Sequence, residues 1–223
     1  GSDEFIHFVD GYGTGRDDTT IESIILKLYN FARSYPWQDE WFASALSLYD
    51  IDSEEAFENN LAVRYLKDYV FRRLNDYYKK YEVYKAMCDE VDGPKQYNEA
   101  ITDDSNAISL MLGSNTFNDL AKRVRLMSFT ALGRKKVADV SEEKKAYIKD
   151  GRDDFKNFLT KTLKGKIFTQ DVTGMIQNIK ENYEAVSVMI KLAKDFSDRI
   201  QAEKRDRNII DFNDMYLFIE KMV

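Results

Sequence analysis

An all-α domain is what this sequence predicts, and three observations carry the prediction. Only two prolines and ten glycines interrupt 223 residues, so long stretches lack helix breakers. Apolar residues recur at threes and fours through those stretches, which is the period of one helix face. No run of strict apolar–polar alternation marks a strand, and no internal repeat or low-complexity tract is present. At 43% hydrophobic and 13% aromatic residues the composition is that of a folded chain, long enough for one large domain or two small ones.

The first element follows "GYGTGRDDTT", residues 11–20. Gly11, Gly13 and Gly15 suggest a phosphate-cradling loop, but the spacing is G-x-G-x-G, not G-x-x-x-x-G-K-[ST]. Asp17 and Asp18 would also repel a phosphate at the helix end that should attract it. The one Gly-Lys pair, Gly165-Lys166, is followed by Ile167, so no Walker A is present. The glycines are read as turn residues that admit positive φ. Ile21, Ile24, Ile25, Leu28, Phe31 and Tyr35 then mark an amphipathic helix, capped by Thr19 or Thr20 and ended by Pro36. Trp37, Trp41, Ala45 and Leu48 mark a short second helix.

Ser53 opens the longest element, with Glu54 and Glu55 in its first turn. No Gly or Pro follows until residues 92–94, and Val63, Leu66, Val70, Leu74, Tyr77, Tyr81, Tyr84, Cys88 and Val91 repeat at threes and fours. As one helix, some 38 residues would span about 55 Å, a seam packed against partner helices. Tyr77, Tyr81 and Tyr84 continue that seam and are read as packing residues; Tyr78 points elsewhere. Helices are expected from Lys95 to Leu112, from Thr116 to Met127, and from a Ser141 cap to about Leu163, where Gly151 should weaken the helix by about 1 kcal/mol relative to Ala. "FTALGRKKVADVS" between them is a basic loop. Val172, Ile176, Ile179, Tyr183, Val186, Ile190, Ala193 and Phe196 define another long helix, and Asp211 can cap a last one.

The chemistry-bearing residues form no recognisable catalytic constellation. His7 is the one histidine and Cys88 the one cysteine, so a metal site built on several histidines or cysteines and an internal disulfide cannot be assembled. The doublets Asp17-Asp18, Asp103-Asp104 and Asp153-Asp154 diverge by about 100° on a helix and do not converge on an ion. Asp211 and Asp214, beside Asn213, look like helix caps. No apolar run approaches the roughly 20 residues of a membrane span, and no signal peptide is seen. Gly1-Ser2 looks like an expression scar.

Charge is the positive signal. The chain carries −6 overall, yet residues 121–166 hold 14 Lys/Arg against 6 Asp/Glu, a local +8. A basic island in an acidic chain suggests a surface that faces a polyanion; the other reading is a solvated helix face whose acids lie nearby in space. Arg123 and Arg125 on one helix, Arg134, Lys135 and Lys136 in the loop, and Arg152 and Lys156 on the next helix are the candidate DNA-binding residues.

The stretch "FVDGYGTGRDDTTIESIILKLYNFARSYPWQDEWF", residues 8–42, resembles the AddA (RexA) helicase–nuclease subunits of bacterial AddAB recombination enzymes. Val9, Tyr12 and Gly13 match their L-V-x-x-Y-G segment, and Leu28, Tyr29, Phe31, Arg33, Ser34 and Pro36 match L-Y-x-F-x-R-S-x-P. "IKDGRDDFKNFL" is similar to their I-K-x-x-R-D-x-x-K segment through Ile148, Lys149, Arg152, Asp153 and Lys156. "RNIIDFNDMYLFIEKM" resembles the L-D-F-x-D-L element of UvrD-like superfamily 1A helicases through Ile210, Asp211, Phe212 and Asp214, with Met215 in place of the usual Leu. Residues 50–120 are merely compatible. The resemblance implies a helical 1B-type insert, residues 3–207, set within a RecA-like helicase domain, with residues 208–223 beginning the return helix. It implies a bacterial, cytoplasmic parent that uses ATP and Mg²⁺, pairs with AddB (RexB) and processes double-strand breaks, and a segment that contacts DNA without catalytic, cofactor or metal residues of its own. The alternative is a helical protein–protein interaction module, without DNA affinity, whose seam docks a partner helix.

Overall fold

In the computed structural model the described residues are 19–135, 139–212, 214 and 215; for Thr19 and Thr20 this extends to the backbone alone. Their regular structure is all helical, with no strand among them, and they fall into two compact units. One runs from Ser53 to Met175; the other joins the residues up to Asp52 with those from Ile176 on. His7 and the glycine turn lie outside the described residues. No helix among the described residues is long and apolar enough to cross a membrane.

Helices α1 (Thr19–Ala32) and α2 (Gln38–Ser47) belong to the other unit, and the unit from Ser53 to Met175 begins with α3 (Glu54–Asn59) and α4 (Leu61–Asp89). Ser53 caps α3 as expected, its hydroxyl accepting from the Ala56 N–H at 3.2 Å. The single helix expected from Ser53 to Val91 is broken at Asn60. That residue is extended (φ −62°, ψ 132°), and its side-chain oxygen accepts from the N–H groups of Ala62 and Val63. An Asn that captures its own downstream donors closes one helix and caps the next. The seam itself is sound from Val63 to Cys88, with Val70, Leu74, Tyr77, Tyr81 and Tyr84 buried, but Val91 stands outside it, fully exposed.

A 3₁₀ turn (Lys95–Tyr97) leads into α5 (Asn98–Leu112), then α6 (Phe117–Leu126), α7 (Glu142–Asn157) and the opening residues of α8 (Val172–Asp206). Thr116 and Ser141 cap α6 and α7, accepting from the N–H groups of Asp119 and Lys144. Beyond Asn157 the helix persists to Ile167, past the expected end near Leu163, and its last ten residues are wound as a π-helix. The core between these helices is largely aromatic. Tyr77 meets Phe155 and Phe158 with centroids 4.9 and 5.3 Å apart, and Tyr81 meets Phe155 edge-on at 5.6 Å. At the other end Phe117 packs on Phe57 and Phe168.

Gly151, expected to cost helix stability, has a packing role. A Cβ there would collide with the Tyr84 hydroxyl and stand 2.6 Å from ring carbon Cζ. The missing side chain is the slot that admits a buried tyrosine.

The other unit contains α1 (Thr19–Ala32), α2 (Gln38–Ser47) and α8 from Ile176 on. Thr19 is already helical, and the residue before it lies outside those described. Ala32, Phe42, Ile190 and Ala193 form the core, and Ile25, Leu28, Trp41 and Val186 close over it. Tyr183, expected on the apolar face of α8, is exposed; Ala185 and Val188 take that face. The cap reading of Asp211 and Asp214 is met in full. Each carboxylate accepts from the other's N–H at 3.0 Å, a reciprocal capping box. Asp211 also accepts from Arg33 at 2.5 Å and from Lys204 at 2.8 Å.

Candidate nucleic-acid interface

The loop between α6 and α7 is fastened from below by cations that point inward. Lys164 Nζ donates to the carbonyls of Arg125 (3.1 Å) and Met127 (2.7 Å). Arg152 Nη2 donates to the Thr130 carbonyl at 2.5 Å, and the Thr130 hydroxyl donates to Asp103 at 2.8 Å. Gly133 presses on the backbone of Gln96 so closely that a Cβ would overlap its carbonyl. The loop is thereby held as a rim, and Arg134 and Lys135 stand exposed on it.

Arg152 is the main correction to the sequence reading. Expected to face DNA, it is 2% exposed, and its Nε and Nη2 engage the buried Asp104 carboxylate at 2.6 and 3.3 Å. Tyr81 donates to the same carboxylate at 3.1 Å. Burial first, and the Asp104 charge second, push the Tyr81 phenol far above its ordinary range, so it stays a donor. The Arg152 charge is spent inside the fold, over the Phe129 ring at 5.5 Å.

Above it opens a concavity of about 520 Å³, walled by Gln96, Tyr97, residues 129–135, Lys145, Lys149, Arg152 and Lys156. Six of its lining residues are cationic and none is acidic. Lys145 is tied to Glu142 at 2.6 Å, and Lys156 is shared between Asp153 (3.3 Å) and the Phe129 ring (5.6 Å). Arg134, Lys135 and Lys149 are exposed and meet no carboxylate among the described residues.

The expected set is therefore divided. Arg134, Lys135 and Lys156 come together with Arg152 beneath them. Arg123 is turned away, chelating Asp119 and donating to the Leu110 carbonyl. Arg125 is exposed but does not line the groove. Lys136 lies outside the described residues. Lys145 and Lys149 were missed, although positions 145, 149, 152 and 156 recur at four, three and four, one stripe of a helix.

A second concavity, of about 670 Å³, lies in the other unit. Asp39, Glu40, Asp198 and Asp214 line it against a single Arg205, with Trp37 beside them. That sign of charge repels phosphates. Among the described residues no three acidic, His or Cys side chains are grouped to hold a metal ion.

No family model matches the chain. Its sequence is similar to ATP-dependent helicase/nuclease subunits of the AddA type: 28% identical over 215 residues to that of Clostridium botulinum (strain Alaska E43 / Type E3), 28% over 223 residues to that of Lachnoclostridium phytofermentans, and 27% over 216 residues to that of Geobacillus kaustophilus. These matches cover 95%, 98% and 96% of the chain but 17%, 16% and 17% of the relatives. The chain spans about a sixth of the length of the curated relatives it matches.

Proposed function

Taking as premise that the chain resembles AddA-type helicase/nuclease subunits along nearly its whole length, we propose that it is a DNA-contacting, non-catalytic module of such an enzyme. In this reading residues 3–207 form a 1B-type insert, and residues 208–223 lead back towards a RecA-like domain. The parent would draw on ATP and Mg²⁺ bound elsewhere, pair with an AddB-type partner, and process double-strand breaks for recombination in the bacterial cytoplasm.

One observation carries the DNA reading: a groove with six cationic lining residues and no carboxylate, inside a chain of net charge −6. Lysines and arginines so grouped neutralise phosphates and do not read bases, so binding should be indifferent to sequence and sensitive to salt. The interaction-module alternative rested on an open seam along α4. That seam is occupied by the chain's own helices, as the Tyr77–Phe155 and Tyr81–Asp104 contacts record.

Fluorescence anisotropy with a labelled oligonucleotide tests the reading. With Arg134, Lys135, Lys149 and Lys156 each meeting one phosphate, log K on a single strand should fall against log salt with a slope near −2.8. The acidic remainder opposes binding, so affinity at physiological salt should lie near the ~10⁻⁴ M end of the non-specific range. Replacing Arg134, Lys135 and Lys149 together by Glu should abolish binding and leave the helical circular dichroism unchanged. Undiminished binding by that variant at low salt would remove the groove from the reading.

A further inference from the structure

We infer that the groove accepts a single strand with at least one unpaired base, and not the outer face of a duplex; this deepens the DNA reading and rests on it. Two observations separate these ligands. The first is size. A sphere of 520 Å³ is about 10 Å across, whereas a duplex is wider than its own major groove of about 12 Å. A duplex can lie across the mouth, touching Arg134 and Lys135 on the rim, but its cylinder cannot enter to reach Lys149 and Lys156. A flexible strand can.

The second is chemistry. The groove's side chains are almost all donors, which suits phosphate oxygens, but Gln96 in its wall is different. Its side-chain oxygen is buried and accepts no hydrogen bond among the described residues. A phosphate offers only acceptors and cannot satisfy it. A base carries amino or imino N–H groups, and in a duplex these are taken by pairing, whereas in a single strand they are free. A base held in the groove would bring such a donor to the Gln96 side chain that lines it.

The test compares three fluorescein-labelled ligands of equal length on the full 223-residue chain at low salt: an unstructured single-stranded oligodeoxynucleotide, an abasic deoxyribose-phosphate strand, and a duplex. The base-bearing strand should bind about tenfold more tightly than either of the others, the usual worth of one hydrogen bond to a group otherwise left buried and unpaired. Gln96→Leu, with Gln96→Met as a second apolar replacement, should bring the base-bearing strand down to the abasic level without changing duplex affinity. A duplex bound as tightly as the strand, with binding still lost in the Arg134/Lys135/Lys149→Glu variant, overturns this inference and leaves the DNA reading in place. A preference for the strand that both Gln96 variants retain overturns the role given to Gln96. No binding of any of the three ligands overturns the DNA reading itself.

Discussion

Arg152→Met should destabilise the chain severely. The reason lies with the partner left behind. Arg152 and Asp104 are 2% and 1% exposed, and the guanidinium supplies two of the three hydrogen bonds that reach the Asp104 carboxylate. With methionine in its place, Tyr81 alone addresses that charge, and the Thr130 carbonyl loses its donor as well. Removing one partner of a buried ion pair costs about 3–5 kcal/mol, which for a domain of this size lowers the melting temperature by roughly 10 °C or more. Replacing the pair by apolar residues is a different matter, because no charge then remains to be desolvated. Arg152→Met/Asp104→Leu should recover most of the loss. Thermal and urea unfolding at neutral pH, followed by far-UV circular dichroism, measures both. If Arg152→Met melts within 2 °C of the parent chain, or the double variant is less stable than the single one, Arg152 is not the interior cation described above.

Three further outcomes follow from particular contacts. Gly151→Ala should destabilise, although helix propensity alone favours alanine by about 1 kcal/mol. The methyl group meets the buried Tyr84 ring, and overpacking of this kind costs about 1–3 kcal/mol; Tyr84→Phe should rescue part of it, and a Gly151→Ala variant that melts higher than the parent would show the slot to be empty. The Lys204 ammonium first, with the Asp214 N–H and the Arg33 guanidinium, holds the Asp211 carboxyl well below the usual carboxylate range. Its folded pKa is thus under its unfolded one, so its contribution is present above about pH 4 and lost as the pH falls further. Asp211→Asn should lower the melting temperature at neutral pH, with the gap closing towards pH 2; a gap independent of pH would refute this. Cys88 is buried, and burial first, with the Asp89 charge second, pushes its thiol up to about 11. The folded chain should resist a thiol-specific disulfide reagent at neutral pH that labels it at once in urea.

How much of this was legible in the sequence depended on how local each cause is. The seam through Tyr77, Tyr81 and Tyr84 was legible because its period is written in consecutive turns. So were the caps at Ser53, Ser141 and Asp211, where donor and acceptor lie three residues apart. Asn60 was missed because nothing in a helical pattern says whether an Asn side chain will bond forward to Ala62 and Val63 or face solvent. Arg152 was misread because its partner is 48 residues away in the chain, and a lone cation on a helix is ordinarily a surface residue. The slot at Gly151 depends on Tyr84 in another helix and has no local signature. The groove lies between these cases: the Lys145, Lys149, Arg152, Lys156 stripe was visible, but its juxtaposition with Arg134 and Lys135 needs the loop to fold back over Gln96.

The Arg33–Asp211 ion pair ties residues 178 apart in sequence. Everything between them is an excursion that leaves and returns at one point. The pair therefore closes a long loop, and what the two side chains gain on meeting must exceed the chain entropy lost in bringing them together. The clasp then becomes a mechanical element. A pull that parts α1 from the turn at Asp211 is borne by the Asp211 carboxylate and its partners Arg33 and Lys204.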